Sequence, residues 1–113
     1  MAYKLVISNK INTKVKGFYK DASGVSRGFS FQLEQDRIDQ DAIKDVIADK
    51  SETTTDFLKR VTHGWKDQRL VLTEDDQPAD FNAESFDALL SIAGMSNFCF
   101  QAYVAQVLVT EKN

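Results

Sequence analysis

The sequence predicts an α+β fold in a single domain. Its 113 residues suit one domain with one core. Up to Leu33, runs of β-branched and aromatic residues, the last with strict alternation, indicate strands, whereas beyond Leu33 apolar residues recur at helical spacing. We therefore expect a β-rich antiparallel meander or hairpin over residues 1–33, followed by about four α-helices over residues 34–113, packed as one domain.

The strands are predicted from three runs of β-branched and aromatic residues: Tyr3–Ile7, Val15–Lys20 and Gly28–Leu33. The segment Asp21–Gly24 has turn chemistry, because Gly24 can adopt a positive φ, and it should close the second and third strands into a hairpin. In the third strand, Phe29 and Phe31 alternate with small or polar residues. We expect both rings to face the core.

The first two helices are predicted from capping residues and apolar spacing. Asp36 is expected to cap a helix from about Arg37 to Ala48. Thr53, with Asp56 three residues later, should cap the second helix from both sides. Gly64 is expected to end that helix in a left-handed conformation. The buried stripe of the second helix comprises Phe57, Leu58 and Val61.

A long polar loop, Lys66–Asp80, separates the helix pairs, and its Leu70–Leu72 run is a candidate short strand. Asn82 then has the position of an N-cap, and Phe81 is placed to pack on Phe86 as a hydrophobic staple. The third helix continues through Leu89 and Leu90.

The last helix is predicted to follow a break at Gly94. Ser96 is expected to cap it, with Met95 facing Phe100, and the helix should extend to about Val109.

The charge distribution is uneven along the chain. The whole protein has a net charge of −3 and a pI near 5.1, which argues against a generally basic surface that would hold nucleic acid. Residues 1–33 carry a net charge of +5 and residues 34–113 carry −8. Opposite ends of two copies could therefore attract each other.

The residues that could support catalysis or bind metal are few. His63 is the only histidine, which excludes a metal site built from several Cys and His ligands. We expect His63 to have a structural role and not a catalytic one. The single cysteine, Cys99, lies among aromatic residues and favours a reducing compartment, the cytoplasm. The acidic pair Asp41 and Asp45 lacks the pattern of a calcium loop. We expect no enzyme, no cofactor, no metal and no membrane partner.

One short motif points towards RNA. The run Arg27–Phe31 resembles the start of the RNP1 signature, in which strand aromatics stack on bases. Gln32 and Glu34 then depart from that signature, and no helix fits between Asn9 and Arg27. Placement of Phe29 and Phe31 in the core is the simpler interpretation, and a small RNA-binding module stays a distant alternative.

Two features are candidates for binding a protein partner. The last helix has a wide apolar arc, which either the rest of the monomer or another chain must cover. Trp65, beside a glycine and a long loop, is either a hot-spot anchor or a lid over the core. The candidate partner-binding residues are Trp65, Phe98, Phe100, Tyr103, Val104, Val107 and Leu108.

The order of these features resembles the tail assembly chaperones of long-tailed bacteriophages, over about Phe18 to Val109. The resemblance rests on Phe57–Val61 leading to Gly64 and Trp65, on an asparagine-capped helix with Leu89 and Leu90, and on an aromatic end helix with Tyr103. It contains no catalytic signature. The proline often expected after Leu90 is missing here.

The resemblance implies a non-enzymatic role in phage or prophage tail assembly, in the cytoplasm of the bacterial host. Such a chaperone coats the tape-measure protein and recruits tail-tube subunits, often as a homo-oligomer. The alternative is a structural tail-completion or connector protein that stays in the virion.

Overall fold

The computed structural model describes residues 2–48 and 52–109, and it confirms the α+β class. A three-stranded antiparallel sheet packs against the helices. The elements in chain order are β1 (Lys10–Lys20), β2 (Ser26–Asp36), α1 (Gln40–Ala48), α2 (Thr54–Val61), β3 (Thr62–Lys66), α3 (Ala83–Leu90) and α4 (Met95–Val107).

The first two strands form the predicted hairpin, although both are longer than expected. Their register extends from Lys10 opposite Asp36 to Lys20 opposite Ser26. Gly24 has a φ of +80° in the turn, and its N–H donates to the Asp21 carbonyl at 2.9 Å. The turn prediction is therefore confirmed.

The third strand follows two helices instead of preceding the hairpin. β3 pairs antiparallel with β2, in the order β1–β2–β3, and places Gly64 opposite Glu34. Gly64 is thus a strand residue, and the prediction that it ends α2 is wrong. A Cβ at Gly64 would lie 2.8 Å from Glu34 Oε2, so the close approach of a carboxylate explains the glycine.

The predicted first strand, Tyr3–Ile7, is absent from the sheet. These residues have no strand conformation, and their apolar side chains are exposed, Val6 to 99%. The run has the composition of a strand, but β propensity alone provides no pairing partner.

The predicted start of the first helix is also wrong. Pairing with β1 extends β2 to Asp36, so the chain becomes helical only at Gln40. Asp39 takes the capping role, since its Oδ1 accepts from the Ala42 N–H at 2.8 Å. In α2, the Thr53 half of the predicted two-sided cap is confirmed, since its Oγ1 accepts from the Asp56 N–H at 3.0 Å.

The capping residues near the start of each helix predict the N-terminus of α3 correctly and that of α4 incorrectly. Asn82 caps α3 in a reciprocal capping box with Ser85, and the Phe81 and Phe86 rings lie 5.2 Å apart. In α4 the N-cap is Gly94, with a φ of +83°, and the helix ends at Val107. The predicted cap Ser96 lies inside the first turn, and its hydroxyl is 2.7 Å from Thr55 Oγ1.

The core lies between one face of the sheet and helices α2, α3 and α4. Phe31 and Leu33 face it, as their alternation predicts. Phe57 and Tyr103 join α2 to α4, with ring centroids 5.5 Å apart. Cys99 is also buried here.

The loop from Asp67 to Asp80 is organised around one buried side chain. Gln68 donates to the carbonyls of Val71 and Ala79, and its Oε1 accepts from the Leu70 and Val71 N–H groups. The candidate strand at residues 70–72 is reduced to an isolated bridge between Leu72 and Pro78.

Candidate protein-binding surface

An apolar groove of about 540 Å³ lies between the hairpin and the junction of α3 with α4. We call it the hairpin–helix groove. Its walls are residues of β1 and β2 on one side and of the helical junction on the other: Lys16–Tyr19, Phe29, Ile92–Met95 and Phe98.

The floor of the groove depends on a glycine in β1. A Cβ at Gly17 would lie 2.9 Å from ring atoms of both Phe29 and Phe98, so the two rings pack directly over the bare backbone. Phe29 and Phe98 meet edge to face, with centroids 6.1 Å apart. Gly94 turns the chain at the far wall through its left-handed conformation.

Large apolar side chains around the groove remain exposed. Phe18 is 74% exposed on the outer face of β1, and Phe98 is 43% exposed at the start of α4. Tyr19 and Ile92 are also exposed. Tyr19, Ile92 and Phe98 line the same groove, and exposed apolar residues grouped in this way mark an interaction site more often than scattered single residues do.

A second apolar groove, of about 460 Å³, lies near the N-terminal segment. Leu5 and Ile7 line it together with Ile43, Val107 and Leu108. Its walls come partly from the exposed segment before β1. The hairpin–helix groove is instead built from the sheet and helices.

The structure divides the predicted partner-binding residues of α4. Tyr103 is fully buried and Val107 is nearly so, which makes both part of the monomer core. Phe100 and Val104 are half-buried. Only Phe98 and Leu108, which directly follows the helix, have exposed side chains, and partner binding by these residues stays a prediction.

Trp65 has the position of a lid. Its Nε1–H donates to the Ala79 carbonyl at 3.1 Å, and its ring packs edge to face on Phe81, with centroids 5.3 Å apart. These contacts attach the long loop to β3 and account for the half-buried indole.

Comparison of the chain with protein-family models, with curated proteins and with solved structures finds no match. The binding properties of this surface are therefore inferred from its own residues.

The outer face of β1 is basic. Lys10, Lys14, Lys16 and Lys20 share this face because their positions alternate along the strand. Lys10 pairs with Asp36 at 2.6 Å, at the end remote from the groove. Lys16 lies at the groove itself.

Asp36 connects the three strands on this face. One carboxylate oxygen accepts from Lys10 Nζ and the other lies 2.7 Å from His63 Nε2. The hydrogen bond with His63, followed by that with Lys10, lowers the pKa of Asp36 below its ordinary value of 3.8. The sequence did not indicate this carboxylate partner for His63, because Asp36 was expected at a helix start.

Metal binding, a reactive thiol and RNA binding would each require particular features of the described residues. They contain no group of three or more His, Cys, Asp or Glu side chains that could hold a metal ion. Burial raises the pKa of Cys99 to about 12, which keeps the thiol protonated and unreactive. Phe31 is buried against the helices, so the RNP1-like run does not offer both rings to bases.

Within residues 2–48 and 52–109, no helix by itself has the length and apolar character needed to cross a membrane. By length and composition alone, α3 and α4 meet the criterion as a pair, across a bend of 100°.

Proposed function

We propose that this protein is a non-enzymatic tail assembly chaperone of a bacteriophage or prophage. It would act in the cytoplasm of the bacterial host, bind the tape-measure protein and help to recruit tail-tube subunits. The resemblance described above suggests the role, and the exposed hairpin–helix groove is the observation that carries it.

The physical argument is that a chaperone must offer apolar surface to a client while remaining folded itself. Here the core is filled by residues such as Phe31 and Tyr103. Ile92 and Phe98 are left exposed in the groove and are available for a client. Such a contact needs no nucleophile, cofactor or metal.

Self-association is a further part of the proposal. The basic face of β1 on one copy would meet the acidic surface of α1, which carries Asp41 and Asp45, on the next copy. Such a head-to-tail contact generates rings or spirals. Light scattering should show smaller particles at 1 M salt, where the Debye length is about 3 Å. A size that does not change with salt would contradict the charge-based contact.

The client interaction is tested by co-expression and co-purification with a tape-measure protein, which the proposal places in a neighbouring gene. Ile92→Asp should abolish co-purification, because it places a charge on an exposed apolar side chain that lines the groove. Val25→Asp is the matched control, since Val25 is also an exposed apolar residue of the hairpin but lies in the turn, outside the groove. Circular dichroism should show both variants folded.

Two results would contradict this assignment. The first is equal co-purification by Ile92→Asp and Val25→Asp, which would exclude the groove. The second is detection of the protein in purified virions by mass spectrometry, since an assembly chaperone should be absent from them. That result would favour a tail-completion or connector protein.

A further inference from the structure

The hairpin–helix groove follows the open edge of the sheet. Four consecutive residues of β1, Lys16–Tyr19, line it. Successive side chains of a strand point to opposite faces, so a groove on one face would be lined by every second residue. Lining by all four residues shows that the groove reaches the backbone of this edge strand, next to the start of α4.

This edge has no strand beside it in the part of the chain that the structure describes. The sheet order is β1–β2–β3, which leaves one side of β1 open along its length. An open strand edge presents a row of N–H and C=O groups that can pair with another chain. Extended peptides bind many proteins by adding a strand at such an edge.

The hydrogen-bond register shows which backbone groups face outward. Beyond the two ends of the ladder, Arg37 N–H donates to the Asn9 carbonyl and Asp21 N–H donates to the Val25 carbonyl. Asn9 and Asp21 are both odd-numbered, and hydrogen-bonded pairs alternate with non-bonded pairs along an antiparallel ladder. The odd-numbered residues of β1 are therefore the ones whose backbone groups bond to β2. The backbone N–H and C=O groups of Lys16 and Phe18 therefore point towards the open edge.

The two faces beside this edge differ in chemistry. On the outer face, Lys14, Lys16 and Lys20 would flank an added strand, with Phe18 between the last two. On the opposite face, the groove offers the rings of Phe29 and Phe98 together with Ile92. An added strand would thus place alternate side chains beside ammonium groups and beside apolar surface.

We propose that the groove binds an extended segment of the client, with alternating apolar and acidic residues, as a fourth strand along β1. The apolar side chains enter the groove and the carboxylates lie beside the lysines. This inference rests on the proposed function only in assigning the segment to the client. The geometry and charge of the groove define the sequence pattern.

The charge pattern is tested with two synthetic peptides that have the same apolar residues at alternate positions. One has Glu at the intervening positions and the other has Lys. Isothermal titration calorimetry with the full chain should show binding of the Glu peptide and at least about tenfold weaker binding of the Lys peptide. Equal affinities would overturn the acidic pattern.

Strand addition itself is tested by N-methylation of the Glu peptide. Methyl groups on residues of one parity remove the N–H groups that face β1, and binding should fall at least about tenfold. Methyl groups on the other parity should leave binding nearly unchanged. Equal losses for the two parities, or no loss for either, would overturn the fourth-strand geometry.

Variants of the protein locate the contact. Lys16→Glu should weaken the Glu peptide several-fold, whereas Lys44→Glu, an exposed lysine on α1, should not. If both variants weakened the Glu peptide equally, the peptide would be attracted by the overall charge of the protein, and the assigned site would be overturned. A particle that is dimeric without peptide, and that Ile92→Asp makes monomeric, would assign the groove to a second copy instead of a client.

The two proposals fail in distinguishable ways. If the tape-measure protein co-purifies through the groove but the peptides show no dependence on methylation parity, the strand geometry is wrong and the chaperone role stands. If the Glu peptide binds as described and the tape-measure protein does not bind, the client assignment is wrong and the groove chemistry stands.

Discussion

The hydroxyl of Tyr103, on α4, donates to the backbone carbonyl of Asp36, at the end of β2, over 2.6 Å. The side chain of the same Asp36 binds Lys10 of β1 and His63 of β3. One residue therefore connects all three strands with the last helix. The contact also explains why Tyr103 is a core residue, although its helix position suggested a partner-binding role.

Removal of the Tyr103 hydroxyl should destabilise the protein. Tyr103→Phe keeps the buried ring but leaves the Asp36 carbonyl without this donor, which should lower the free energy of unfolding by ~1–2 kcal/mol. Urea denaturation measures the change. Tyr19→Phe is the control, because Tyr19 is exposed and should change stability little. Equal losses in the two variants would contradict a specific role for the bond.

Asp36 should make stability depend on pH in the acid range. Its folded pKa is lowered below 3.8, chiefly by the hydrogen bond with His63 and then by that with Lys10, so folding favours the ionised carboxylate. The stabilisation is present above the unfolded pKa and is lost as the pH falls through the folded pKa.

Urea midpoints measured from neutral to acid pH test this dependence. Asp36→Asn should reduce the acid-induced fall in stability, because the titrating carboxylate is removed. The acid profile of Asp21→Asn is compared with that of Asp36→Asn. Asp21 is a second carboxylate whose pKa is lowered, in its case by hydrogen bonds with Arg27 and nearby backbone groups. An unaltered acid profile in Asp36→Asn would show that this carboxylate contributes nothing.

Gly94 should be difficult to replace. Its φ of +83° lies in the left-handed region, so Gly94→Ala is strained although no atom lies within 4 Å of the added Cβ. We expect a loss of ~1–2 kcal/mol in the free energy of unfolding. Gly94→Asn should lose less, because asparagine tolerates this conformation better. Thermal or urea unfolding compares the two, and a reversed order would contradict backbone strain as the cause.

Cys99 should react only after unfolding. The thiol is buried, and its pKa of about 12 leaves almost no thiolate at neutral pH. Intact mass spectrometry after iodoacetamide treatment should find the native protein unmodified and the urea-unfolded protein fully alkylated. Rapid alkylation under native conditions would show that α4 opens readily from the core.

The sequence predicted the features that are determined locally. Gly24 and Asn82 were assigned correctly because a positive φ in a turn and a side-chain cap depend on a few neighbouring residues. The alternation of Phe31 and Leu33 likewise identified their buried face, since helices cover the face of the sheet on which both residues lie.

Features that depend on distant partners were missed. Thr62–Lys66 contains a glycine and little β-branched character, and it is a strand because β2 offers an edge to pair with. Tyr3–Ile7 has strand composition without such pairing. The groove was not predicted either, because Gly17 and Phe98 are far apart in the sequence and meet only in the folded chain.

The loop around Gln68 has a practical consequence. Gln68 and Trp65 hold the base of the loop, while the turn at its tip is closed by its own bonds between Thr73 and Gln77. An affinity tag inserted between Glu74 and Asp75 would thus project into solvent from a rigid base. Immobilisation through this tag would leave both ends of the polypeptide unmodified for binding assays.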